Sequence, residues 1–221
     1  MHIALCNEVL GDMSLEQQCE YAARLGYDGL EIAPFTLMDS PETISTAEAA
    51  RIRRTVQASG LRVTGLHWLL VKPEGLSLTD PDAAVRARTI GVMARMTALC
   101  GELGGTVLVH GSPKQRQIAP GDTHAVALAR MHDGLAKVAR AAGDAGVIYC
   151  IEPLSRQETA VLNTVGEAAE LVRAVDQRRN LVGFGQAGGA AIDHRPEMRM
   201  IDRAHKLGRL RDGVQHRRFP S

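Results

Sequence analysis

The 221-residue chain is marked first by what it lacks. No Gly-x-Gly-x-x-Gly follows its first apolar segment, and no Gly-Lys-Ser/Thr loop occurs, so the usual anchors for dinucleotides and nucleotides are missing. No apolar stretch approaches the length of a membrane span. No basic segment leads into an apolar run at the N-terminus, so no secretory signal is expected. The four cysteines, Cys6, Cys19, Cys100 and Cys150, include no Cys-x-x-Cys pair. They read as buried thiols in a reducing compartment, which implies the cytoplasm. The formal net charge is only +1, so no global field steers the chain toward nucleic acid. That average hides an asymmetry. From Arg178 to Ser221 there are 10 Lys/Arg against 4 Asp/Glu, whereas the preceding residues carry 16 against 21.

What is present is a rhythm. Short apolar segments alternate with stretches of helical periodicity. His2–Cys6, Tyr27–Ala33, Leu61–Trp68, Thr106–His110 and Val147–Ile151 read as strands, and Leu181–Phe184 as the start of a sixth. Ser14 with Gln17, Ser45 with Glu48 and Thr164 with Glu167 form capping boxes that open helices. Asp80-Pro81 opens another, with proline at its first position. A fourth helix is expected from about Asp122 to Ala142, with Leu128, Met131, Leu135 and Val138 as its apolar stripe. Five or six such units with nearly continuous apolar strands imply a parallel sheet covered by helices, an α/β fold. A complete eightfold barrel takes roughly 250 residues. The chain is shorter, so an incomplete (β/α) barrel of five to six units is expected over residues 1–180. Residues 181–221 then form an Arg-rich tail, in which Met198, Ile201 and His205 could mark one short helix. A barrel missing strands exposes sheet edges that a second copy could cover.

Polar residues at strand ends carry the chemistry. Glu31, His67, His110, Glu152 and, less clearly, Glu8 fall where a barrel gathers its reactive groups, at the C-terminal ends of its strands. Histidine and glutamate bind divalent ions or transfer protons. A histidine at a strand end is as often a hydrogen-bonded structural residue. Glu152 points more firmly to function, because a carboxylate after five apolar strand residues needs a polar destination. Lys114 and Arg116 follow His110 in a Gly/Pro loop and could hold an anionic or hydroxylated substrate, or the loop could simply be solvated. Trp68, the only tryptophan, could wall a pocket or fill the core.

Four segments carry a resemblance: Asp28-Gly-Leu-Glu31, Gly65-Leu-His67-Trp68, Val109-His-Gly-Ser-Pro-Lys-Gln-Arg116 and Cys150-Ile-Glu152-Pro153. Across roughly residues 1–180 the chain resembles the xylose isomerase-like barrel superfamily, which includes sugar epimerases, hydroxypyruvate isomerase and the endonuclease IV branch. The resemblance implies a divalent-metal-dependent isomerase or epimerase of a small sugar, sugar phosphate or hydroxy-carbonyl compound. In the epimerase branch the glutamate matching Glu152 binds Mn²⁺, Mg²⁺, Co²⁺ or Zn²⁺ and moves a proton next to a carbonyl. Its fellow ligands there are an Asp after strand six, a His after strand seven and a Glu after strand eight. Glu31, His67, Trp68, His110, Lys114 and Arg116 would then face the carbohydrate. In the endonuclease branch, residues matching His67, His110 and Glu152 belong to a zinc cluster. The strand-end loops lack the interleaved basic and aromatic residues that grip a duplex, so nucleic acid is not the expected partner.

The sequence departs from this pattern after strand five. Val182–Ala191 offers no acidic residue, and Asp193 and His194 follow as the remaining candidate ligands. The Arg-rich tail reads as a shifted coding frame from near residue 181, or as a shortened protein whose tail closes the barrel or meets a partner. A non-catalytic binding or structural protein is the alternative function.

Overall fold

The computed structural model describes residues 2–175, 181–185 and 190–192. Seven strands form one sheet in sequence order. β1 (Ala4–Cys6), β2 (Gly29–Ile32), β3 (Arg62–His67), β4 (Val107–His110), β5 (Ile148–Ile151) and β6 (Leu181–Gly185) run parallel, and β7 (Ala190–Ile192) pairs antiparallel with β6. Helices α1 (Leu15–Arg24), α2 (Thr46–Ala58), α3 (Ala83–Leu103), α4 (His124–Ala145) and α5 (Val165–Val175) make the connections. Five consecutive strand–helix units with every strand beside its chain neighbour is the winding of a barrel. Among the described residues the wall stays open, with β1 and β7 at its edges.

The helices begin where local chemistry satisfies their free N–H groups. Ser14 and Ser45 form reciprocal capping boxes with Gln17 and Glu48. Thr164 and Glu167 likewise exchange hydrogen bonds at 3.2 Å each. The third helix differs from expectation. Asp80 accepts from the Asp82 amide and Asp82 accepts from the Ala84 amide, so Asp82 is the cap and Pro81 stays outside the helix. Two acidic residues competed for one cap, and the one nearer the helix body won.

The core lies between sheet and helices. Leu30, Ile32, Val63, Leu66, Leu108, Tyr149 and Ile151 point from the strands into it and meet helix residues such as Ala22, Val56, Met96 and Leu135. The opposite face is less covered: Glu31, Val107, Val109 and Ile148 are only partly buried. That face is the inside of the barrel wall, and it holds the polar groups.

A register shift decides which β3 residues reach that face. Leu30 pairs with Val63, but Glu31 pairs with Gly65, so Thr64 is an extra residue. Without it, strict alternation would turn His67 into the helix layer. With it, Leu66 joins Ile32 in the core and His67 shares the inner face with Glu31. Gly65 fits this crowded point because it has no Cβ; one placed there would collide with the Val107 carbonyl.

No described helix is long and apolar enough to cross a membrane. Gly65→Ala is expected to lower stability by about 1–3 kcal/mol through overpacking against rigid backbone. Gly91→Ala, in the exposed interior of α3 with open space around its Cβ position, should instead raise it by about 0.5–1 kcal/mol. Urea midpoints of the two variants moving in the same direction would contradict this packing.

Candidate functional site

Two groups of polar side chains occupy the C-terminal ends of the strands. The first spans β1, β2 and β3. Cys6 and Glu31 are register partners, and the Cys6 thiol donates to Glu31 Oε2 at 3.1 Å. His67 Nδ1 lies 3.9 Å from the same oxygen. Its Nε2 lies 2.7 Å from Glu8 Oε2, without hydrogen-bond alignment. The His67 side chain is only 8% exposed, yet neither ring nitrogen has a hydrogen-bond partner.

Glu8 is held in place by its neighbour. It lies on a 3₁₀ turn, Asn7–Leu10, directly after β1. Asn7 is fully buried; its amide donates to Gln18 at 3.0 Å and Thr36 at 2.7 Å, and its oxygen accepts from the Ala33 amide at 2.8 Å. The turn is thereby bolted to α1 and to the end of β2. Burial, then the hydrogen bond to Glu31 and the charges of Glu31 and Glu8, push the Cys6 thiol up to about 12. At neutral pH the group therefore carries a protonated thiol.

Trp68 follows His67 with a positive φ of 50°, a rare backbone state for a bulky residue. It is half-exposed and stands in tilted contact with Phe35, centroids 6.1 Å apart. It is not a core tryptophan.

The second group spans β4 and β5. His110 is wholly buried, and its Nδ1 shares a 2.8 Å hydrogen bond with the Tyr149 hydroxyl. Both side chains lie on the helix-facing side with Leu108 and Ile151. Burial, and then the nearby charge of Arg116, lower His110 to about 3, so the ring is neutral. Arg116 is also fully buried. Its Nη2 donates to the Glu152 carbonyl at 2.8 Å, while Nε and Nη1 have no hydrogen-bond partner among the described residues. Burial lowers its guanidinium to about 10, against the pull of Glu152 and Glu158. It still carries its charge at neutral pH, so the loop after β4 is built into the structure rather than solvated. Lys114, on the same 3₁₀ turn (Pro113–Arg116), is exposed.

Glu152 is 9% exposed, and its Oε2 occupies the space over Gly111, 2.5 Å from where a Cβ would stand. Any side chain at residue 111 would displace that carboxylate.

The expected site residues thus divide. Glu31 and His67 come together, with Trp68 beside them in sequence. Arg116 and Glu152 come together. His110 is turned into the core. Asp193 and His194 lie outside the described residues. Sequence reading passed over Cys6 as an inert thiol and gave no role to Asn7, Phe35 or Tyr149. Cys6 ends a strand as Glu152 follows one, and that position was its available signal.

One group of three among the described residues could hold a metal ion: Cys6, Glu31 and His67, with one donor atom from each lying within 4.8 Å of the others. The donor set suits a divalent cation. No such group includes Glu152 among the described residues.

The buried neutral histidine sets a pH dependence. An unfolded imidazole protonates near ~6.5. The folded one does so only near 3. Between these values the unfolded state binds the extra proton. Stability is therefore full above about pH 6.5 and falls by up to ~1.4 kcal/mol per unit as the pH drops. His110→Asn should flatten this slope. An unchanged slope between pH 6.5 and 5, read from urea midpoints, would remove His110 as its source.

Comparison with known proteins agrees with the winding. A xylose isomerase-like TIM barrel family profile matches residues 19–184. A D-psicose 3-epimerase of Agrobacterium fabrum is 32% identical over 71% of this chain and 52% of its own length. A probable ketose 3-epimerase of Synechocystis is 28% identical over 70% of this chain and 51% of its own. The chain thus spans about half the length of the curated relatives it matches. A crystal structure of D-psicose 3-epimerase obtained in the presence of D-fructose superposes with a TM-score of 0.69 at 25% identity, covering 84% of this chain and 63% of the other. The 3-keto-D-glucoside 4-epimerase of E. coli gives 0.69 at 18% identity over 84% and 68%, a likeness of fold alone. Fold, register and sequence together show that the chain belongs to the xylose isomerase-like TIM barrel family.

Proposed function

We propose that the chain acts on a small sugar or hydroxy-carbonyl compound as an isomerase or epimerase, with Glu152 as the group that exchanges a proton at the carbon beside a carbonyl. One observation carries this reading: a buried carboxylate stands at the end of β5, over a glycine that leaves it room. Arg116 holds the backbone behind it through the Glu152 carbonyl. The base takes a proton from carbon, leaving an enediolate; isomerisation returns that proton to the neighbouring carbon on the same face, whereas epimerisation takes a proton from a second acid or a water on the opposite face while Glu152 keeps the one it removed. A divalent metal, when bound, supplies charge stabilisation to the enediolate oxygens. The half-exposed Trp68, packed against the partly buried Phe35, offers an apolar wall for a sugar ring, and Lys114 an exposed cation at the rim.

A second reading has its own support. Val182–Ala191 carries no acidic residue where the resemblance places the ligand after strand six, which favours a non-catalytic binding protein on the same fold. Four free cysteines fit a reducing, cytoplasmic setting. Among the described residues β1 lies at an open edge, with Ile3, Val9 and Met13 exposed nearby, which fits a homodimer. Nothing in the described loops favours a nucleic acid partner, and the zinc endonuclease reading is weakened because His110 faces the core.

The deciding experiment incubates the chain with D-psicose or D-fructose and Mn²⁺, Co²⁺ or Mg²⁺ in deuterated water. Interconversion with deuterium at the exchanged carbon is expected, and Glu152→Gln should slow it by roughly 10²–10⁴-fold. Ketose binding without exchange would establish the binding protein instead.

A further inference from the structure

We propose that Cys6, Glu31 and His67 form a zinc site at the ends of β1, β2 and β3, with Glu8 holding the histidine ring, separate from any ion that Glu152 would serve. The inference goes beyond the isomerase reading and does not depend on it.

Position separates the two. β3 and β5 are two strand spacings apart, about 10 Å at the usual ~4.8 Å per spacing. The described residues able to gather around one ion stand at β1–β3, and Glu152 is not among them. Geometry then fits the ion. Zinc bonds of about 2.0–2.3 Å in a tetrahedron place donor atoms about 3.3–3.8 Å apart. Here Cys6 Sγ is 3.1 Å and His67 Nδ1 3.9 Å from Glu31 Oε2. Shifts well under the length of one bond would close the donors around a cation.

The histidine supplies independent support. Its side chain is more than nine-tenths buried, with both nitrogens lacking hydrogen-bond partners. Such a ring is costly unless something else meets it. Nδ1 faces Glu31 and Nε2 lies 2.7 Å from Glu8, so with an ion on Nδ1 a small turn of the ring would align Nε2–H with the Glu8 carboxylate. Carboxylate, imidazole and metal in line is the usual way a protein fixes a ligating histidine. Donor type selects the metal: a thiolate with an imidazole favours zinc over magnesium, calcium or manganese. Cys6, Glu31 and Glu8 are partly exposed, so the ion has a way in and its fourth position stays open to water. On binding, the Cys6 proton leaves to solvent and the metal takes its place. Without metal, the same residues are a thiol–carboxylate hydrogen bond beside an acid–histidine contact.

The test strips the full chain with a chelator and titrates it with Zn²⁺ or Co²⁺. One equivalent is expected, with a sulfur-to-cobalt charge-transfer band in the near ultraviolet. Cys6→Ser should remove that band while circular dichroism stays unchanged. Glu8→Gln should weaken binding about ten- to a hundredfold. Glu152→Gln should leave band and stoichiometry intact, whatever it does to ketose turnover. A band that survives Cys6→Ser, or uptake abolished by Glu152→Gln, would overturn the proposal. So would a folded wild-type chain that takes up no ion.

Discussion

The extra residue in β3 is the constraint on which the site depends. Parallel strands in register point paired side chains the same way, and one inserted residue reverses every side chain beyond it. Between Leu30–Val63 and Glu31–Gly65 that reversal happens once. Leu66 is kept in the core and His67 is delivered to the inner face beside Glu31. Gly65 is the condition for it, since no other residue passes Val107 so closely. Fold and chemistry are therefore set at the same point, and neither could be altered there alone.

Beyond β3 no register shift intervenes, and the consequence differs. β4 and β5 pair without interruption from Val107–Ile148 to His110–Ile151, so His110 falls on the helix side with Tyr149. A polar residue on that side must find a partner within the core. The Tyr149 hydroxyl provides one, and the remaining burial holds the imidazole neutral. Arg116 meets the same demand differently. It donates to a backbone carbonyl and keeps its charge within reach of Glu152 and Glu158. A buried cation is weak evidence for stability, since well-packed apolar residues often serve as well. Its value is better sought in where it fixes the Glu152 backbone.

Much of the fold was legible because its signals are local. Each capping box involves residues three apart, and the five apolar segments read as strands are strands, with bounds within two residues. The helix start at Asp82 was missed by two residues, because Asp80-Pro81 mimics a cap that the following aspartate provides. The site was legible only in part. His67 and His110 look alike in sequence, each closing an apolar strand before a loop. The register shift that separates them depends on strands 34 residues apart at Leu30 and Thr64, and no local pattern announces it. Cys6 was misjudged for a related reason. The lack of a Cys-x-x-Cys pair suggests an inert thiol, whereas its partner Glu31 is set by inter-strand register.

The relation between the chain and its family turns on where ligands are found. The resemblance places a metal with Glu152 and residues from strands beyond β5. Among the described residues, β6 and β7 form the last pair of the wall, and the residues expected to join Glu152 at a metal, Asp193 and His194, lie outside them. The β1–β3 side holds three donors already converged, with the Glu8 carboxylate 2.7 Å from the far nitrogen of His67. Two carboxylates, a thiol and an imidazole pressed together without full hydrogen bonding gain little from one another in isolation. A divalent cation among Cys6, Glu31 and His67 would offset the Glu31 carboxylate and meet the unmet burial of His67. The electrostatics of the first three strands thus favour a cation between Cys6, Glu31 and His67.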